Sequence, residues 1–201
     1  MLLPNQLTTL RIILTPVFFV LFLSGDPTLM QISLAVFFVA AITDWYDGWL
    51  ARKFNYITAW GKFMDPLADK ILTSAAFVAF VVLGVLELWM VLTIIIRDFL
   101  MTGLRLYADH RKVNFATSFL AKTKTFIQMV FIYYLLVVFT FQTVAPIYNG
   151  NEQIFDILTN QYLIYYVMLV ITLLTLYTAV SYVIKNRKLI KYLFTIENKS
   201  N

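Results

Sequence analysis

Long apolar runs broken by short polar stretches lay the chain out as a series of helices. The runs fall at about residues 7–23, 29–50, 62–85, 88–107, 124–143 and 162–184. Each approaches the roughly 20 residues that an α-helix needs to cross the hydrocarbon core of a bilayer. The pattern predicts an all-α integral membrane protein with six transmembrane helices, forming one domain over residues 1–201. Turn residues mark the breaks: Ser24, Gly25, Asp26 and Pro27 first, then Glu87, then a loop at 145–161 with Pro146, Gly150, Glu152 and Asp156. Residues 1–6 are predicted to lie along the interface, with Pro4 ahead of the first helix and Asn5 or Thr8 as its cap. Pro16 predicts a kink, and Pro66 is expected in the first turn of the third helix, where proline is tolerated. The tail from Lys185 begins KNRKLIKYLF, a basic stretch with apolar residues suited to anionic lipid.

Composition agrees with this plan. Of 201 residues 61% are hydrophobic and 13% charged, with a mean hydropathy of +0.78, outside the range of soluble globular domains. The absence of cysteine excludes disulfides, thiol catalysis and thiolate metal sites. The lone histidine, His110, cannot build a His-rich centre and reads as a solvated loop residue. The net charge of +5 does not point to nucleic acid, because the basic residues flank apolar runs. The three outer turns carry Asp26, Glu87, Glu152 and Asp156 and no Lys or Arg, whereas the loops at 53–60 and 108–121 and the tail are basic. The positive-inside rule therefore places both termini and the aspartate cluster at residues 44–69 on the cytoplasmic side. The first apolar run is not followed by a small-residue cleavage pattern and reads as a retained helix.

The polar positions that interrupt this order carry the chemistry. Residues 43–70, TDWYDGWLARKFNYITAWGKFMDPLADK, hold Asp44, Asp47, Asp65 and Asp69. Spacings of three and four put each pair on one helical face. Four carboxylates meeting beside an apolar medium repel and are costly to desolvate, so they need cations. Divalent Mg²⁺ or Mn²⁺ suits all-oxygen ligands, and two such ions can share the set. Gly48, Ala51 and Gly61 fall in phase with the aspartates and leave room for a bulky ligand or a close helix approach. Arg52 and Lys53 are placed to meet phosphate.

Further charges lie deeper. Arg97 and Asp98 sit between VLTIII and FLMTGL, and read either as a structural ion pair or as the lining of a cavity. Arg105, eight residues on, lies roughly on the same side as Arg97. Lys122 and Lys124 read as ordinary edge charges or as part of a basic pocket for an anionic substrate, and Arg11 as a snorkelling charge or a phosphate contact. A metal–carboxylate cluster at the bilayer edge can meet a lipid from the side and a soluble molecule from the cytoplasm, which points to phosphoryl-group transfer. Residue types alone leave the nucleotide and the alcohol open. A transporter also carries intramembrane charges, but here the aspartates gather at one edge and no inverted repeat is visible.

Asp44, Asp47, Gly48, Ala51, Arg52, Gly61, Asp65 and Asp69 together resemble, in type and spacing, the signature of the CDP-alcohol phosphatidyltransferases. PNQLTTLRIILTP, ITDWYDG, GKFMDPLADK, IIIRDFL and AKTKTFIQ are most similar to the bacterial phosphatidylglycerophosphate synthase branch, with Asp98 where relatives often have glutamate. The resemblance implies the six-helix fold of that family. It also implies that Asp44, Asp47 and Asp65 ligate metal, with Asp69 at the second ion and acting as general base. Gly48, Ala51, Arg52 and Gly61 would shape the CDP site, and Arg97, Arg105, Lys122 and Lys124 would take the acceptor phosphate. The implied substrates are CDP-diacylglycerol and glycerol 3-phosphate, within a homodimer among membrane lipids. Serine, inositol phosphate and phosphatidylglycerol are the rival acceptors within the family.

Overall fold

The computed structural model describes residues 3–54, 59–111 and 119–197. The described residues form helices and no strand: α1 (Leu3–Phe22), α2 (Pro27–Phe54), α3 (Ala59–Val82), α4 (Leu88–His110), α5 (Phe119–Phe141), two short helices α6 (Ala145–Tyr148) and α7 (Glu152–Leu158), and α8 (Gln161–Glu197). Residues 55–58 and 112–118, most of both predicted inner loops, lie outside the described residues.

Local chemistry sets the helix ends. Asp26 Oδ1 accepts the backbone N–H groups of Thr28 at 2.7 Å and Leu29 at 3.0 Å, with Pro27 leading α2 where its missing N–H costs nothing. Asn160 Oδ1 does the same for Tyr162 and Leu163 at the start of α8. The end of α3 is closed by Gly84, whose φ of 73° only glycine takes freely. That conformation lets the Val85 N–H reach the Phe80 carbonyl and the Gly84 N–H reach the Val81 carbonyl, both at 2.9 Å.

Helix α1 packs on α2 and α3, α3 on α4, and α4 on α8, while α5 packs against α2, α3 and α8. An aromatic cluster locks one end of this bundle. Phe18 and Phe37 stand 5.0 Å apart, Phe22 and Phe80 5.3 Å, and Phe80 and Phe139 5.5 Å, joining α1, α2, α3 and α5. Between apolar helices such packing holds the bundle by dispersion and shape rather than by expulsion of water. Phe80 is fully buried, and Phe80→Ala is expected to cost about 3–5 kcal/mol of stability. The check is a lowered unfolding midpoint in detergent with the helical content of the folded protein retained.

Helices α5 and α8 contain stretches long and apolar enough to cross a bilayer, at Leu120–Phe141 and, across α7 and α8, Glu152–Arg187. Shorter apolar stretches lie in α1 and α2, at Gln6–Phe22 and Pro27–Thr43. Several boundaries differ from expectation. Pro4 is already inside α1, and the Thr8 hydroxyl reaches Asp65 instead of capping its own helix. Helix α3 runs from Ala59, so Pro66 lies in its interior, where its missing N–H leaves the Lys62 carbonyl without a helical donor. The loop at 145–161 folds into α6 and α7, pinned where the Tyr134 hydroxyl donates to the Leu158 carbonyl. Helix α8 does not stop at residue 184. No proline or glycine interrupts the chain to Glu197, and the basic stretch prolongs a helix about 55 Å long, well beyond a hydrocarbon core of about 30 Å.

Candidate active site

The end of the bundle opposite the phenylalanine cluster opens into a cavity of about 680 Å³. The first half of α3, the second half of α4, the first half of α5 and Tyr182 of α8 wall it. Alternating chain direction is what brings these halves to one end. The lining includes Asp69, Lys70, Arg97, Asp98, Arg105, Asp109 and Lys122, with Met101, Phe126 and Met129 supplying an apolar side. A mostly apolar pocket with charged groups set into its wall suits a molecule with a charged head and a lipid tail.

Asp65 and Asp69 share one face of α3, as their spacing predicts. Asp65 Oδ1 accepts the hydroxyl of Thr8, a fully buried residue of α1. Asp69 Oδ2 accepts Lys70 Nζ at 2.9 Å. One oxygen on each carboxylate stays unengaged among the described residues, an oxygen-only donor pair of the kind that hard divalent cations take. Asp44, Asp47, Gly48, Ala51 and Arg52 fall on the last turns of α2, but their side chains lie outside the described residues. No group of three acidic or histidine side chains stands together among the described residues. Gly61 is buried one turn before Asp65.

The deep charges resolve into one network. Lys124 Nζ and Arg97 Nη1 both bind Asp98 Oδ1, at 2.7 and 2.8 Å. Arg97 Nη2 reaches Thr178 Oγ1 on α8 at 2.9 Å. Arg97 is therefore both an ion-pair partner and a cavity wall, the two readings that its position leaves open. Arg105 lines the same cavity, as the eight-residue spacing from Arg97 predicts, and so does Lys122. Lys124 is not among the lining residues; its side chain is 1% exposed and spent on Asp98. Arg11 is fully buried rather than extended to headgroups. His110 is exposed at the end of α4.

Lys70, whose place beside Asp69 reads as an acid's partner or a snorkelling charge, pairs with that acid. Three participants were not singled out from the sequence in these roles: Thr8 on Asp65, Thr178 on Arg97, and Tyr182 in the cavity wall. For α8 a signal exists. Thr172, Thr175, Thr178, Tyr182 and Asn186 recur every three or four residues, which is one face of a helix. The threonines and Asn186 are buried. A polar stripe along an otherwise apolar helix marks the side that faces protein instead of lipid.

The pocket's charge favours anions. Lys70, Arg97, Arg105, Lys122 and Lys124 stand in or just behind it against Asp69, Asp98 and Asp109. Arg97 and Arg105 can offer forked donors to a phosphate.

Residues 1–184 match the sequence profile of the CDP-alcohol phosphatidyltransferases. The chain is 41% identical over 140 residues to a Bacillus subtilis (strain 168) protein named CDP-diacylglycerol–glycerol-3-phosphate 3-phosphatidyltransferase, covering 64% of this chain and 72% of that one. A Rickettsia bellii protein of the same name is 40% identical over 127 residues, covering 63% and 70%. One from Salmonella typhimurium is 38% identical over 138 residues, covering 66% and 75%.

Proposed function

From the chain's membership of the CDP-alcohol phosphatidyltransferase family, we infer that it is the membrane-embedded enzyme that transfers the phosphatidyl group of CDP-diacylglycerol to glycerol 3-phosphate, giving phosphatidylglycerol phosphate and CMP. The family is divalent-metal dependent. The placing of Arg97, Arg105 and Lys122 in one cavity with Asp69 supports a phosphate-bearing acceptor, and the names of the relatives supply glycerol 3-phosphate as that acceptor. A soluble phosphate ester is drawn to such a pocket, whereas serine would not need three cations.

In this reading the carboxylates of Asp44, Asp47, Asp65 and Asp69 hold the metal, Mg²⁺ or Mn²⁺, as two ions. Bound there, the metal supplies charge neutralisation to the diphosphate and to its leaving oxygen. Gly48, Ala51, Arg52 and Gly61 shape the cytidine diphosphate site. Arg97, Arg105 and Lys122 hold the acceptor's phosphate, with Lys124 adding positive charge from behind. Asp69 takes the proton from the acceptor's primary hydroxyl. That oxygen bonds to the phosphorus bearing diacylglycerol, the bond from this phosphorus to the CMP oxygen breaks, and CMP leaves. Lys70 holds one Asp69 oxygen and leaves the other, with its two lone pairs, open to the metal and to the acceptor hydroxyl.

The remaining architecture follows the charge pattern. Six crossings form a single domain over residues 1–201, with both termini and the active site on the cytoplasmic side of the inner membrane, in a homodimer. The even number of crossings and the acidic, Lys- and Arg-free outer turns support that orientation.

The deciding experiment follows CMP release by purified protein in detergent with CDP-diacylglycerol and a divalent metal. Glycerol 3-phosphate, serine, inositol phosphate and phosphatidylglycerol are offered separately. Release is expected with glycerol 3-phosphate alone, abolished by EDTA and restored by Mg²⁺ or Mn²⁺. Release with another acceptor changes the product, and release that survives EDTA removes the metal from the reading.

A further inference from the structure

Arg97 is held from two directions. Its Nη1 donates to Asp98 on its own helix at 2.8 Å, and its Nη2 donates across to Thr178 on α8 at 2.9 Å. The threonine is itself oriented: its hydroxyl donates to the Thr175 carbonyl at 3.0 Å, so a lone pair is left facing Arg97. Asp98 is in turn held by buried Lys124 from α5. Three helices thus fix one guanidinium in the wall of the cavity. Arg97 Nε, buried, has no partner among the described residues. Arg97, Lys124 and Asp98 together carry one net positive charge in a setting where Asp98 is 6% and Lys124 2% exposed. A buried excess of positive charge beside an unused N–H donor is a receptor for an anionic oxygen.

We propose that Thr178 and Asp98 are positioning residues that orient Arg97 toward the phosphate of the acceptor, so that part of the acceptor site is built by α8, outside the aspartate signature. This rests on the reading of the cavity as the acceptor pocket. Neither residue touches the reacting atoms. They act by limiting the directions a long, flexible side chain can take, which lowers the entropy lost when phosphate binds.

Thr178→Val keeps the shape of the side chain and removes the acceptor; Thr178→Ser keeps the acceptor. The expected result for Thr178→Val is a KM for glycerol 3-phosphate raised about ten-fold, because an oriented charged hydrogen bond is lost. Its kcat and its KM for CDP-diacylglycerol are expected to stay within about two-fold of the parent, the pattern of lost uniform binding. Thr178→Ser is expected to restore the parent KM. A purely structural bond would lower the unfolding midpoint without this split between the two substrates. Arg105→Gln, measured in parallel, separates the two levels of the argument. A raised acceptor KM in Arg105→Gln with an unchanged one in Thr178→Val overturns the positioning role and leaves the pocket. An unchanged acceptor KM in both removes the pocket as well as the inference built on it.

Discussion

Asp69→Asn is expected to lower phosphatidyl transfer by about 10²–10⁴-fold without unfolding the protein. Asparagine keeps the size of the side chain but cannot accept the hydroxyl proton at neutral pH. The position tolerates the change structurally. The Asp69 side chain is 33% exposed, and its one described ion pair is to Lys70, itself partly exposed. An ion pair that reaches solvent contributes little to folding, about 0–1 kcal/mol. The measurement is CMP release at saturating metal, alongside the unfolding midpoint and the elution volume in detergent. Repeating the assay across a range of Mg²⁺ separates two roles on one residue. A base alone lowers kcat at every metal concentration, whereas a ligand also raises the metal concentration needed for half activity. Full transfer by a folded Asp69→Asn protein would mean that the base lies elsewhere.

The second large effect falls on stability. Asp98→Ala removes the one carboxylate described between Lys124 and Arg97 and leaves two nearly buried cations facing each other. Breaking a buried pair from one side costs about 3–5 kcal/mol, because Lys124, its side chain 1% exposed, is left with neither water nor a carboxylate. The paired change Asp98→Ala with Lys124→Met removes one charge of each sign and is expected to recover most of that loss. Unfolding midpoints of the parent, each single variant and the double variant form a cycle that isolates the coupling. Additive effects would show that Lys124 does not depend on Asp98.

The two halves of the site differ in how far the sequence exposes them. Asp65 and Asp69 are four apart, and a helix of fixed pitch makes them neighbours wherever the rest of the chain goes. Arg97 and Arg105 fall together for the same reason, and the structure places both on the cavity. Arg97 and Asp98 are different. Adjacent residues on a helix point about 100° apart, so adjacency does not predict their pairing. They meet because the arginine is long and Lys124, from another helix, holds the same carboxylate. Pro66 falls in the interior of α3 and not in its first turn because the helix already runs from Ala59, ahead of the expected start near Lys62.

By itself the sequence determined the helical class, the long apolar stretches, the Asp65–Asp69 pair and, through the spacing of the signature residues, the family. These rest on short-range regularities: 1.5 Å of rise per residue, a fixed turn, and the length of a bilayer. Only the tertiary structure decided that Thr8 holds Asp65, that Lys124 is buried on Asp98 rather than lining the cavity, and that Thr178 of α8 holds Arg97. Those contacts join residues 57, 26 and 81 positions apart. Which helix lies beside which is set by packing over the whole bundle, and no local spacing carries that information.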